Sequence, residues 1–457
     1  MIRGTGEAFT LRNLTLRANC SSTPAIIMDA DGALVLENVT VEDNTGGGLY
    51  IGAAADSVVI RNSSFRNNRK PEGWDSRGGA LEVSWSDLCQ RSVFIEGSTF
   101  EGNSATNGGA LWVGSSCGDE QIVLESSRFI GNTTTEDGEG GAIWVSLPFG
   151  EGSEVGPSML IRNSAILDNS AGSEGGGGIY VGGPCDSGPL KLINVTIAGN
   201  STTGTGGGID ASECDRVDLA FVTITANRAS QGGGFYSGGN GQWKRLKGVI
   251  LAGNTADEGL DCYGPMTSAG GNVIGNGANC DITPQDSDVI GVDEVLAPRD
   301  TTAFIYPLVV GSPALDRVTD CTDFDGNVVE VDQRGIRRPQ GAACDAGAVE
   351  REIPVAADEI QLPISLAFYG HYPNPVRSDR VVLVLDLPVS AQAQVVLYDI
   401  LGRQLRRWSV GTLMAGTRRQ VSLHLGSLAA GLYIYQVQLR LDSGKTQSFQ
   451  GRLVKLE

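Results

Sequence analysis

Tyr50, Glu82, Trp112, Trp144, Tyr180, Asp210 and Tyr236 each follow an apolar residue at the head of a short run opened by glycine, as in "GGALWV", "GGAIWV" and "GGGIYV". In an extended run, alternate side chains point to opposite faces, so these residues face away from the apolar ones beside them. Aromatic rings in a row can stack on one another or on the faces of sugar rings. The candidate ligand-binding set is therefore this outward ladder. Its two acids, Glu82 and Asp210, do not make a hydrolytic pair: glycoside cleavage needs carboxyls about 5–9.5 Å apart, and four repeats of about 4.8 Å separate them. Glu136, Asp137 and Glu139, and Glu213 with Asp215, read as solvated loop charges. No histidine precedes His371. No catalytic residue is assigned, and the reading leans away from an enzyme.

The element that positions the ladder is a repeat. The phrases "LENVTVEDN", "IRNSSFRNN", "IEGSTFEGN", "LESSRFIGN", "IRNSAILDN", "LINVTIAGN" and "LAFVTITAN" close on Asn44, Asn68, Asn103, Asn132, Asn169, Asn200 and Asn227. Asn19 and Asn254 extend the series at a mean step of about 29 residues. Apolar residues alternate, as in Val39 and Val41, and no 3.6-residue period is present. Two or three strands per step make one coil of a parallel β-helix. Asparagine tolerates left-handed backbone and can hydrogen-bond to local backbone, which gives its recurrence at a corner a structural cause. Asn38 and Asn194, in N-x-[ST] triplets, are read as turn residues. The glycine pairs lead into strands and recur coil after coil, unlike a phosphate cradle, so they too are turns.

One corner varies in length, through inserts such as "SWSDLCQRS", "GSSCGDEQ" and "GGPCDSGP". Cys89 and Cys117, and Cys185 and Cys214, fall there in neighbouring coils, whose spacing suits a disulfide. The nine cysteines include no CxxC, which argues against zinc and for an oxidising compartment, with Cys20 the odd one out. The net charge of −19 argues against nucleic acid. From Leu366 onward, however, 11 Lys and Arg meet only 5 Asp and Glu, which marks a domain boundary. No apolar run is long enough to span a bilayer. The opening "MIRGTGEAFTLRNLTL" reads directly as strand, so the expectation is that sequence precedes Met1.

Residues from about 250 to 350 contain "GSPALD", "DQRGIRRP" and "CDAGAVE" in order. They resemble the choice-of-anchor Q region that closes secreted bacterial β-helix proteins. The resemblance implies a cap over the open end of the helix, with local bridges Cys262–Cys280 and Cys321–Cys344. "DFDG" at 323–326 hints at calcium but lacks EF-hand spacing, so no metal ligand and no cofactor is assigned.

Beyond a Pro-containing linker, four blocks recur in about 90 residues: Tyr372-Pro373-Asn374-Pro375; "LYDILGR" with Asp399, Gly402 and Arg403; "LAAGLY" with Gly431 and Tyr433; and "RLVKL" with Lys455. This stretch resembles the type A C-terminal sorting domain of type IX secretion cargo. The resemblance implies the type IX machinery as partner and an extracellular or outer cell-surface location in a Gram-negative bacterium. On its own terms the stretch alternates as an antiparallel sandwich.

The expected architecture is all-β: a right-handed parallel β-helix of about nine coils (1–260), a capping region (261–350), a linker (351–365) and a small antiparallel β-sandwich (366–457). The expected function is non-enzymatic adhesion or binding of a polysaccharide or host glycan. A polysaccharide lyase or glycoside hydrolase is the alternative, and a structural surface-layer component the third.

Overall fold

The computed structural model describes residues 1–4, 8–18, 21–29, 32–52, 55–71, 73, 76–84, 92–114, 121–146, 158–183, 185, 188–239, 243–292, 295–352, 366–372, 374–376, 379–413, 415–426, 428–441 and 445–456. Among them there is no helix. They form two compact units, 1–352 and 353–457.

The first unit is a stack of coils, each with three principal strands that pair in parallel with those of the next coil; two coils add a short fourth, Ser104–Ala105 and Thr133–Thr134. One coil runs Leu111–Gly114, Gln121–Glu125 and Arg128–Ile130, and its strands pair with Ile143–Ser146, Ser158–Arg162 and Ala165–Leu167. The three sheets enclose one apolar core, in which Phe65, Phe100 and Phe129 stack at 5.1 and 4.7 Å. Two rungs, Val273–Ile274 and Val289–Ile290, continue the third sheet beyond the last repeated phrase.

The closing asparagines have a different cause from the one expected. Left-handed backbone falls on the residue before each of them, such as Asp43 (φ 58°), Asn67 (φ 50°) and Asp168 (φ 56°). The asparagine side chains themselves turn inward, where they are buried. Each amide donates to the next, as from Asn103 Nδ2 to Asn132 Oδ1 at 3.0 Å, and also to a carbonyl of the preceding coil. A buried amide needs such partners, and the ladder runs from Asn44 to Asn254, where the Asp261 carboxylate accepts the last bond. Ser63, Ser98, Ser127 and Ser164 form a second ladder, each hydroxyl accepting a backbone N–H from the coil before. Asn38 and Asn194 have φ of 54°, as turn residues do.

The paired glycines turn the coil where no Cβ fits. Gly108 has φ of +62°, and a Cβ on Gly109 would meet the Gly141 carbonyl of the next coil.

Residues 295–350 lie along the flank of the later coils rather than only across their end. Phe304 and Tyr306 pack on Ala165, Leu167 and Ala198; Val295, Leu308 and Ala346 on Ile250 and Ala252; Val318 and Val329 on Ala220 and Phe221. The sequence elements of this region form its clasp. Fully buried Arg338 binds Glu350 at 2.7 Å and the carbonyls of Asp345 and Gly347, and its guanidinium lies 4.6 Å from the Phe221 ring centroid. Asp332 accepts from Arg334, Ile336 and Glu350. Asp345 accepts from Asp316 and Arg351.

The second unit packs a three-stranded antiparallel sheet on a four-stranded one. Val381, Leu383 and Leu385 of one sheet share a core with Val395, Leu397 and Val437 of the other.

Candidate functional site

The parallel register places Tyr50, Glu82, Trp112, Trp144, Tyr180, Asp210 and Tyr236 in one outward column. Arg3 and Ile27 precede them, and Tyr263 follows. The rings lie on one another: Trp112 and Trp144 at 5.1 Å and 7°, Trp144 and Tyr180 at 6.4 Å and 12°, Tyr236 and Tyr263 at 5.3 Å and 17°. From the coil before, Arg77 brings its guanidinium to 4.7 Å from the Trp112 ring. Both faces of Trp112 and of Trp144 are therefore occupied, and Trp112 and Tyr180 are only 7 % and 6 % exposed. A glycan along this column would meet ring edges, not faces.

The rings lean over a second outward row of small residues: Ser84, Gly114, Ser146 and Gly182. A Cβ on Gly114 would strike the six-membered ring of Trp112. This is why the runs read "LWVG", "IWVS" and "IYVG", a signal present in the sequence whose meaning needed the register.

Of the carboxylates expected to be solvated, Glu139 is partly buried beside this column, while Glu213 is exposed, as expected, yet touches it. Glu139 accepts the Trp144 indole N–H at 2.6 Å, and burial pushes its pKa up against that bond. Glu213 accepts the Gly183 N–H at 3.2 Å and lies beside Gly182 with Trp144 and Tyr180. Asp210 is fully buried and accepts from the Ser212 N–H at 2.9 Å and from the Thr205 hydroxyl; burial raises its pKa. Lys244 escaped the sequence reading. It stands in register with Val217 in the inward column, its ammonium donating to the carbonyls of Ser237 and Gly238. Burial lowers its pKa to about 8.

At the start of the column the ladder opens into a cleft of about 450 Å³. Arg3, Asp29, Tyr50, Lys70, Ser76 and Glu82 line it. Lys70 and Glu82 form an ion pair. Burial first, then the charges of Glu82 and Asp29, raise the Tyr50 pKa. The volume falls within the range of small-ligand sites.

The other candidates are placed as follows. Cys185–Cys214, Cys262–Cys280 and Cys321–Cys344 are disulfides, with Cα atoms 5.0, 5.2 and 5.7 Å apart; the first ties neighbouring coils. Cys20, Cys89 and Cys117 lie outside the described residues. In "DFDG", Asp323 accepts the N–H groups of Asp325 and Asn327, and Asp325 pairs with Lys191 at 2.6 Å. Among the described residues no group of three His, Cys, Asp or Glu is arranged to hold a metal ion.

In the second unit, the four sorting blocks are brought together strand by strand. Asn374 accepts the Val454 N–H at 3.1 Å, and Val376 pairs with Lys455. Gly431 and Tyr433 stand opposite Lys455 and Leu453, and the Tyr433 hydroxyl donates to the Ala429 carbonyl at 2.7 Å. Asp399 closes its turn by accepting the Leu401 and Arg403 N–H groups, with Gly402 at φ 79° and the Arg403 side chain at 2.6 Å. Tyr372 ends the strand Ala367–Tyr372, and Pro375 follows Asn374; Pro373 lies outside the described residues.

This geometry defines a parallel β-helix joined to a small antiparallel sandwich. Residues 1–181 match the family model of the right handed beta helix region, and residues 371–449 match that of the secretion system C-terminal sorting domain. No curated protein matches the chain. The chain is thus a β-helix protein with a type IX secretion sorting tail, whose partner is that machinery. The tail and the disulfides make it a secreted or cell-surface protein. No helix in the described residues is long and apolar enough to cross a membrane.

Proposed function

We propose that this is a surface-attached, non-enzymatic glycan-binding protein of a Gram-negative cell, of the choice-of-anchor Q type, and that the cleft at Tyr50 is its binding site. The observation that carries this is the cleft's lining: one aromatic ring, two carboxylates and two cations around about 450 Å³. Sugar hydroxyls take hydrogen bonds from cations and give them to carboxylates, while the ring edge covers an apolar patch of the sugar. The stacked column beyond it is a stiff spine that holds the cleft in place. A glycan array on the full chain, followed by calorimetry on the best ligand, tests the reading. Tyr50→Ala and Glu82→Gln should each weaken binding by at least tenfold, whereas Trp144→Ala should change affinity little. Binding to no polysaccharide, or unchanged affinity in Tyr50→Ala, would overturn it.

Glycoside cleavage is the second reading, favoured by Glu139, whose carboxyl burial holds toward the protonated form near Glu213. Release of new reducing ends from a polysaccharide, lost in Glu139→Gln, would establish it in place of binding alone. Neither binding nor cleavage would leave a structural surface-layer role.

A further inference from the structure

The outer face of the second sheet carries a column unlike its surroundings. Val35, Val59, Phe94, Val123 and Leu160 stand in register on successive coils, each partly exposed. On the third sheet, the first three of these coils turn Thr40, Glu42, Ser64, Arg66, Thr99 and Glu101 outward. Past Leu160 the column changes to Lys191, Asp218 and Arg245, and there the chain covers itself. Phe324 lies 4.4 Å from the Arg245 guanidinium, Asp325 pairs with Lys191, and Asp218 holds Arg245 by two bonds of 2.6 and 2.7 Å. Asp218 is thus buried and Lys191 and Arg245 are partly covered, while the apolar side chains of the earlier coils keep part of their surface exposed. Where cover gives way to open stripe there is a groove of about 380 Å³, with Val123 and Leu160 on one side and Val328 and Val331 on the other.

Beside the stripe runs a charged row on the same five coils: Glu37, Arg61, Glu96, Glu125 and Arg162. On its other side lie Ala33, Ser57, Ser92, Gln121 and Ser158. We infer that the stripe is the contact between two copies of this chain, laid face to face and antiparallel about a two-fold axis at Phe94. A second copy is the occupant that matches rung for rung, because its strands have the same spacing of about 4.8 Å. The axis sets Phe94 on Phe94, Val59 on Val123 and Val35 on Leu160. Within one chain Arg61 pairs with Glu96 at 3.2 Å and lies 5.6 Å from the Phe94 ring centroid, while Arg162 pairs with Glu125 and Arg12 with Glu37, each at 2.6 Å. The axis also sets Arg61 against Glu125 and Glu37 against Arg162, each twice by symmetry, with only Glu96 facing its like, so these in-chain pairs extend into one network across the contact. A parallel two-fold would instead lay the charged row on the serine row and match no charges. The stripe is about 19 Å long and about 13 Å across, well short of the roughly 800 Å² per partner of stable complexes. The dimer is therefore weak and forms where chains are concentrated, as on a cell surface. It uses a different sheet from the cleft and does not depend on glycan binding.

Single cysteines in the full chain test the geometry. Under mild oxidation, Phe94→Cys should form a covalent dimer, with the wild-type chain as control. Val35→Cys and Leu160→Cys should fail to cross-link alone and cross-link when mixed. In sedimentation equilibrium, Arg61→Glu should weaken association at least tenfold and Arg61→Glu with Glu125→Arg should restore it, with melting temperatures checked for all variants. Val35→Cys linking to itself, or no Phe94→Cys dimer together with a monomer at high micromolar concentration, would overturn the inference.

Discussion

The third sheet has one flank but two characters. In the early coils its outward residues are Thr40 and Glu42, Ser64 and Arg66, Thr99 and Glu101, which are partly or well exposed. In the later coils they are Ala165 and Leu167, Thr196 and Ala198, Thr223 and Thr225, and these are buried. The inward column hardly changes between the two: Phe65, Phe100, Phe129, then Ile166, Ile197, Ile224, all fully buried. The coil is thus a constant device, and its outer face records what lies on it. Small residues under residues 295–350 let Phe304 and Tyr306 approach, while long charged ones on the open coils keep that surface solvated. Among the described residues, the later coils are fixed on this flank from both sides and the earlier ones from the inside only.

The largest effect should come from releasing the cover. Arg338 and Glu350 are both fully buried, so Arg338→Ala leaves a carboxylate and two carbonyls without their cation. Breaking such a pair costs about 3–5 kcal/mol, to be read from denaturant unfolding of the full chain. The comparison sharpens the expectation: hydrogen exchange should rise in Ala165–Leu167 and Thr196–Ala198 and stay unchanged in Thr40–Glu42. A uniform rise over all coils would mean that the cover and the stack are one cooperative unit.

Much of this was legible in the residues, because a period-2 strand and a fixed repeat expose their register. Once Leu111 and Val113 are inward, Trp112 is outward, and the column of seven follows. What one coil does to the next was less legible. Nothing local to "ALWV" says that Arg77 and Trp144 take both faces of Trp112, and that decides whether the ring can meet a sugar. The closing asparagines are visible as a pattern, but of the two causes read from them the left-handed corner falls one residue earlier and the side-chain bonds reach neighbouring coils rather than local backbone. The path of 295–350 along the flank was written in the change from Glu101 to Leu167 and Ala198. That signal is a difference between repeats, and a search for their sameness passes over it. Lys244 was missed because "WKRLK" taken alone looks like an exposed strand.

Lys244 tests whether the inner column is as constant as it looks. Its pKa is about 8 in the folded chain against 10.5 for the free side chain, so between these values the unfolded state binds more protons. Its contribution is therefore unfavourable below about pH 8 and is relieved as pH rises through 8 toward 10.5. Lys244→Met, placed between Val217 and Met266, should stabilise the chain by about 1–4 kcal/mol at neutral pH. The advantage should shrink in unfolding curves taken at pH 10. A destabilised variant would show that the ammonium's bonds to the Ser237 and Gly238 carbonyls outweigh its desolvation.

The smallest effect belongs to the open flank. Arg66 and Glu101 approach to 3.5 Å across two coils, with both side chains about half exposed at 50 % and 52 %. Exposed pairs of this kind contribute roughly 0–1 kcal/mol, less at high salt, so Arg66→Ala should shift the unfolding midpoint barely beyond error. Arg66→Leu should do no more in a monomer, since none of the described residues covers that position, whereas Leu167→Arg, the mirror change under Phe304 and Tyr306, should cost several times as much. If both substitutions proved equally mild, the buried and open flanks would differ in composition but not in energy. The case for residues 295–350 as a stabilising cover would then fall.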